Sequence, residues 1–198
     1  MPRRRRPSRV EKADIKVARA AGPVRHHPLT RIAGDLSEVG DQPPLRAIAA
    51  ATIAAGAVGR DRRLTLAGMR MLAAHQMATS IKSVIKQAVD RTRPEVVLDG
   101  GAYRSGKGRH EESRFNSFPS GHTAGAVAVA RAVGRDYPGA ALPALVVAGA
   151  VAVVQVPRGK HYVSDIVAGA LIGLAAEAGL AALVRRLRGA SGSRRTAR

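Results

Sequence analysis

Two histidines stand in company that suits phosphate chemistry. His122 closes the run Pro119-Ser120-Gly121-His122, which leads straight into an Ala/Val/Gly-rich segment. His161 lies four residues before Asp165 in PRGKHYVSDIVAG, and Lys86 lies seven before Arg93-Pro94 in KQAVDRTRP. Each group has a plain structural reading. Pro, Ser and Gly are common where a helix begins, a basic helix end complements the macrodipole, and a His–Asp pair near a helix start is ordinary. Each also has a chemical one. The first backbone N–H groups of a helix are unpaired and attract an anion, glycine lets it come close, and histidine can exchange a proton with it. Seven residues is nearly two helical turns, so Lys86 and Arg93 share a face about 10 Å apart along the axis. Both are long enough to converge on one anion. Pro94 ends the helix there and leaves a guanidinium suited to forked bonding to phosphate. On a helix start His161 and Asp165 share a face. The carboxylate can then accept the Nδ1–H and leave Nε2 free as a nucleophile, the logic of a serine-protease triad transferred to histidine.

Five apolar segments must position these groups: residues 47–58, 64–90, 120–134, 139–157 and 165–184. No long alternating pattern marks strands, so the expected fold is all-α. If the segments alternate in direction, the end of the second and the starts of the third and fifth fall on one side. Two histidines, a carboxylate, several cations and a helix N-terminus then meet at one mouth, an inventory for phosphoryl transfer without metal. A metal site from His122, His161 and Asp165 is the less favoured alternative, because metal ligands do not usually stand among so many cations. The fourth and fifth segments reach the roughly 20 apolar residues a membrane span needs. Small residues recur in AGALIG and VAGAVA, which lets membrane helices approach closely. The expectation is a membrane-embedded bundle of about five apolar helices; the alternative is a water-soluble bundle with an Ala-rich core. Glu177, alone in the fifth segment, requires an interior partner or a wet cavity. Leu29, Ile32, Leu36 and Val39 predict an N-terminal amphipathic helix ending near Gly40, lying on a membrane surface or packed on the domain. The connection PEVVLDGGAYRSGKGRHEESRFNSF is long and charged and belongs at a water-exposed face.

The chain has 198 residues, no cysteine and a formal charge of +19. It is long enough for one domain, and disulfides and thiolate metal sites are excluded. Much of the charge lies at the ends, which sets the expected boundaries: a basic disordered tail over 1–27, a helical domain over 28–187 and a basic C-terminal tail over 188–198. Such tails suit anionic membrane lipids. Nucleic acid is not an expected partner, since no stacking aromatics are interleaved with the basic residues. MPRRRRPSR would serve as the basic part of a secretory signal, but no apolar stretch follows it before about residue 47. Arg60, Arg62, Arg63 and the C-terminal arginines fall opposite the clusters, so the positive-inside rule favours an outward-facing site in a cell inner membrane.

Taken together the three clusters resemble the type 2 phosphatidic acid phosphatase family, which shares its site with vanadium-dependent haloperoxidases. The family pattern is Lys-x6-Arg-Pro, then Pro-Ser-Gly-His, then Ser-Arg-x5-His-x3-Asp. The first two parts are matched in full, and the third at His161 and Asp165, across roughly residues 45 to 185. Where the family has Ser-Arg, this chain has Val154-Gln155; Arg158, one turn later, is positioned to reach the same anion. The family also usually has six spans, one more than is counted here. The resemblance implies a lipid-phosphate phosphatase that needs no cofactor and no metal. His161 would attack phosphorus, Asp165 would orient it, and His122 would protonate the leaving oxygen and then activate water. Lys86, Arg93, Ser120, the Gly121 N–H and Arg158 would hold the phosphoryl oxygens, and vanadate should inhibit. Phosphatidic acid, phosphatidylglycerol phosphate and polyprenyl diphosphate all fit as substrates. The competing class is an inactive relative that binds anionic membrane surfaces through its basic tails.

Overall fold

In a computed structural model the chain is a helical bundle, described here for residues 6–108 and 112–195, with side chains of the last helix described to Leu187. The elements in order are α1 (Arg9–Ala21), α2 (Pro28–Ser37), α3 (Gln42–Val58), α4 (Arg62–Ala88), β1 (Val89–Arg91), α5 (Pro94–Leu98), β2 (Ser105–Lys107), α6 (Gly121–Asp136), α7 (Ala141–Val154) and α8 (Val163–Arg195), joined by short 3₁₀ turns. The all-α expectation holds, and α3, α4, α6, α7 and α8 are the five apolar segments. Their core is built from small side chains: Ala49, Ala74, Ala78, Ala128, Ala132 and Ala176 are fully buried between α3, α4, α6 and α8. Glycine permits that closeness. A Cβ at Gly169 or Gly173 of α8 would stand 2.6 Å and 2.7 Å from the Ser120 and Ala124 carbonyls of α6. The start of α8 is thereby pinned to the start of α6, and the Ser120 N–H donates to the Asp165 carbonyl at 3.0 Å.

The Glu177 carboxylate is fully buried in α8 and receives the Arg135 guanidinium of α6, with Nη2 at 2.9 Å. That is the interior partner the sequence required. Among the described residues, α8 is the one helix long and apolar enough to cross a membrane, over Val163–Leu187. The fourth segment delivers only 14 helical residues in α7, about 21 Å at 1.5 Å per residue. It stops at Val154 because residues 155–160 turn back, with Gly159 at φ +71, to bring His161 under α6.

Two expectations are corrected. Residues 1–27 are not a disordered tail: residues 9–21 form α1, and only residues 1–5 of that stretch lie outside the described residues. The cause is local. Ser8 and Glu11 form a reciprocal capping box, and α1 buries Glu11, Asp14 and Ala18 against the domain. The C-terminal stretch likewise continues α8 to Arg195, and residues 196–198 lie outside the described residues. The long connection is also partly folded. β1 pairs antiparallel with β2, Asn116 bridges back to Arg91, and Ser117 N–H donates to the Arg91 carbonyl at 3.1 Å.

Candidate active site

The three clusters do meet. Lys86 from the end of α4, Arg93 before α5, Gly121 and His122 at the start of α6, and Arg158 and His161 from the α7–α8 turn line one cavity of about 300 Å³. Its floor is the mouth of α6. Ser120 is the N-cap of that helix, is fully buried, and accepts from the Thr123 hydroxyl at 3.0 Å. It therefore shapes the turn, and it is not among the residues lining the cavity. Asp165 is likewise buried behind His161 rather than in the cavity.

His161 is held more firmly than the His–Asp spacing alone suggests. Its Nδ1 donates to the Ser117 carbonyl at 2.7 Å, while the Asp165 carboxylate stands 3.8 Å away. A carbonyl oxygen can only accept, so Nδ1 carries the proton and Nε2 is the free nitrogen. The direct Nδ1–H to carboxylate bond expected from sequence is thus replaced by the loop carbonyl, with Asp165 acting through its charge. Asp165 is itself fully partnered. Arg91 donates to Oδ1 at 2.6 Å, and the Ser117 hydroxyl and Tyr162 N–H donate to Oδ2 at 2.6 Å and 2.8 Å. A metal held by His122, His161 and Asp165 does not fit this set, since Nδ1 and both Asp165 oxygens already face donors or acceptors of the protein. Burial pushes the His161 imidazole below its ordinary pKa; Asp165 pulls it up, and Arg93 and Lys86 push it down again. Together these influences favour the neutral ring, the form in which an imidazole can act as a nucleophile.

Arg91 links this half to the N-terminal helix. Its other nitrogens donate to Asp14 of α1 at 2.8 Å and to the Tyr103 hydroxyl at 3.1 Å, and Tyr103 donates to Glu11 at 2.8 Å. Asp14 also accepts from the Ser164 N–H at 3.1 Å. Burial works against the Arg91 charge, but Asp165 and Asp14 outweigh it and raise its pKa further, so the guanidinium is permanently charged. Sequence reading missed Arg91, Asp14 and Ser117. Arg91 lies inside KQAVDRTRP, yet its spacing fits no motif; the one available signal for α1 was Ser8-x-x-Glu11, a capping box hidden in a basic run.

The side of the cavity around His122 is more open. His122 Nε2 lies 3.3 Å from the Glu38 carboxylate, which also accepts from Arg158 at 2.7 Å. Arg158 lies across α2, where a Cβ at Gly34 would meet its Nε at 2.6 Å, and it also donates to the Ser37 hydroxyl at 3.1 Å. Burial works to raise the Glu38 carboxyl, but Arg158 and His122 outweigh it and hold it below the usual carboxylate value. Gln155 is fully buried; its amide donates to Ser37 and to the Val151 carbonyl, both at 3.1 Å, and its oxygen has no partner among the described residues. Glu38, Asp41 and His122 place one ligand atom each within 4.8 Å of one another, a second set of cation-competent groups at the rim. The amphipathic helix thus has a role that periodicity did not disclose, since α2 and the turn after it carry Ser37 and Glu38 to the site.

Residues 67–188 match the PAP2 superfamily. They are more than half of the chain, and the chain belongs to that family. Over 97 residues it is 28% identical to the lipid A 1-phosphatase of Porphyromonas gingivalis, a match covering 47% of this chain and 22% of that protein. The match thus spans under a quarter of that relative's length. The transmembrane PAP2-type phosphatidylglycerolphosphate phosphatase of Bacillus subtilis has the same fold, with a TM-score of 0.66 at 23% identity, covering 91% of this chain and 88% of that one. LpxE of Aquifex aeolicus superposes with a TM-score of 0.56 at 18% identity, covering 82% and 91% of the two chains.

Proposed function

We propose that this chain is a membrane lipid-phosphate phosphatase that hydrolyses phosphomonoester or diphosphate headgroups through a phosphohistidine. One observation carries the reading: the free Nε2 of a neutral, buried His161 shares a cavity with Lys86, Arg93 and the mouth of α6, with His122 alongside. The phosphate docks on the Gly121 N–H and the two cations. Nε2 attacks phosphorus, the bond from phosphorus to the lipid oxygen breaks, and His122 gives that oxygen its proton. His122 then takes a proton from water as the water attacks the phosphohistidine, which releases inorganic phosphate and restores Nε2. Charge neutralisation comes from side chains and the helix terminus, without a metal or other cofactor. Arg158 stands where it can approach the anion once Glu38 gives way, in the role of the arginine missing at Gln155.

Membrane insertion is supported by α8 and by the exposed apolar side chains Leu142, Val146, Val153, Val167 and Leu171 of α7 and α8. Arg62, Arg63 and Arg70 cluster with Asp136 at the far end of the bundle, which supports a site facing outward from a cell inner membrane. The N-terminal and C-terminal basic stretches suit anionic lipid. The relatives' names point to lipid phosphates as the substrate class. The second reading, an inactive surface-binding relative, draws on Gln155 and on the Glu38 carboxylate beside the phosphate pocket. Phosphate release from phosphatidic acid and from a polyprenyl diphosphate, in detergent with EDTA present, decides between them. Wild-type release that disappears in His161→Ala supports the phosphatase. No release from either substrate overturns it.

A further inference from the structure

The cations that the motifs bring to the cavity are all engaged by the protein. Lys86 Nζ donates to the Asn116 carbonyl at 2.7 Å, Arg93 to the Ser113 carbonyl at 2.8 Å, and Arg158 to Glu38 and Ser37. Lys82 is different. It lies one turn before Lys86 on α4, is 8% exposed, and lines the same cavity. Among the described residues it makes no hydrogen bond and no ion pair; Asp41 and Arg46 act on it only through space. Its chain crosses the mouth of α6, where a Cβ at Gly121 would stand 3.2 Å from its Cδ and 3.6 Å from its Nζ. Its ammonium reaches the cavity with no protein partner while most of its side chain is buried. Here it is aimed at the spot where backbone N–H groups already attract an anion.

We propose that Lys82 is a further substrate-binding residue, whose ammonium binds a phosphate oxygen docked on the α6 N-terminus and supplies positive charge that Gln155 does not. The inference rests on the phosphatase reading above. The oxygen belongs to the scissile phosphate or to the second phosphate of a diphosphate, and the chemistry of recognition is the same.

The test uses the full chain in detergent, comparing wild type with Lys82→Met, Lys82→Gln and Lys82→Arg. The probes are vanadate inhibition and the melting temperature without ligand. The expected result differs between the two readouts. Lys82→Met weakens vanadate inhibition about tenfold or more, yet melts at or near the wild-type temperature, because the ammonium removed has no protein partner to lose. Lys82→Arg keeps most of the vanadate affinity. Lys82→Gln is read alongside, so that a misfolded methionine variant does not decide the matter. An equal drop in kcat/KM for phosphatidic acid and polyprenyl diphosphate assigns the contact to the scissile phosphate, and a larger drop for the diphosphate assigns it to the second. Wild-type vanadate inhibition in a folded Lys82→Met or Lys82→Gln overturns the proposal and leaves the phosphatase reading standing. A wild-type chain that neither releases phosphate nor responds to vanadate sinks both.

Discussion

The His161 side of the cavity, assigned the nucleophile in the proposed mechanism, and the His122 side, assigned the acid, are built differently, although they face each other. Behind His161, Ser117, Asp165, Arg91 and Asp14 form a buried chain in which both Asp165 oxygens and two of the Arg91 nitrogens have protein partners within 3 Å. Around His122 the groups are half-exposed, and one carboxylate, Glu38, is shared between His122 and Arg158. The difference matches what the proposed mechanism asks of each side. A nucleophile needs one tautomer and one orientation throughout the reaction. An acid must change protonation twice and admit the leaving group, so it cannot be locked.

The largest effects should come from the reacting groups. His161→Ala should remove phosphate release by at least about 10³-fold, read as initial rates with EDTA present. His122→Ala should cost about 10²- to 10⁴-fold in kcat, and less for a lipid analogue whose leaving group needs no proton. If both variants lost the same amount on such an analogue, His122 would not be the acid. Next comes the support behind the nucleophile. Arg91→Gln leaves Asp14 and Asp165 buried and uncompensated, which should destabilise the fold by about 3 kcal/mol and lower kcat with little change in KM. The same substitution at Arg158 on the open side should hardly move the melting temperature. Equal stability losses at Arg91 and Arg158 would erase the contrast between the halves.

The contrast also marks how far sequence could be read. His161, His122, Lys86 and Arg93 were legible as motif residues, but the helical faces expected for two of the pairs are corrected. α4 ends at Ala88 and Arg93 is extended before α5, so Lys86 and Arg93 share no helical face, and His161 precedes the start of α8 at Val163. Segment alternation then sufficed to bring the ends of α4, α6 and α8 together. Arg91, Ser117 and Asp14 were not legible, because they converge through the pairing of β1 with β2, the return of residue 116 to residue 91, and the docking of α1, all of them tertiary facts. Ser120 is a phosphate ligand by resemblance alone; in the structure its oxygen accepts from Thr123 as the cap of α6, a role the motif does not disclose. α1 was hidden by composition: a capping box of Ser8 and Glu11 lay inside a run whose charge argued for disorder. Glu38 sat in a helix legible only as amphipathic, since nothing local says that the turn after α2 reaches the mouth of α6.

The smallest predicted effects sharpen the comparison most. Burial and the charges of Arg93 and Lys86 lower the His161 pKa, while Asp165 opposes them. In the proposed mechanism His161 attacks only when neutral, so activity should be present above its pKa and lost as pH falls through it. The acid limb of kcat/KM should therefore lie below about 6.5, the ordinary imidazole value. Since His122 must be protonated, the full profile should be bell-shaped, and a monotonic profile from about pH 4 to 9 would contradict the assignment of two histidines to opposite roles. Asp165→Asn, if it folds, should move the acid limb to lower pH, because the carboxylate is what holds the pKa up. Glu38→Gln should leave that limb in place, since Glu38 faces His122 and Arg158 rather than His161. It should instead lower KM by a few-fold, roughly the effect of one exposed ion pair, because Arg158 no longer has a carboxylate to leave before it meets the phosphate. An acid limb that shifted with Glu38→Gln would mean that the two halves titrate as one unit, and the division between a locked nucleophile and an adjustable acid would have to be given up.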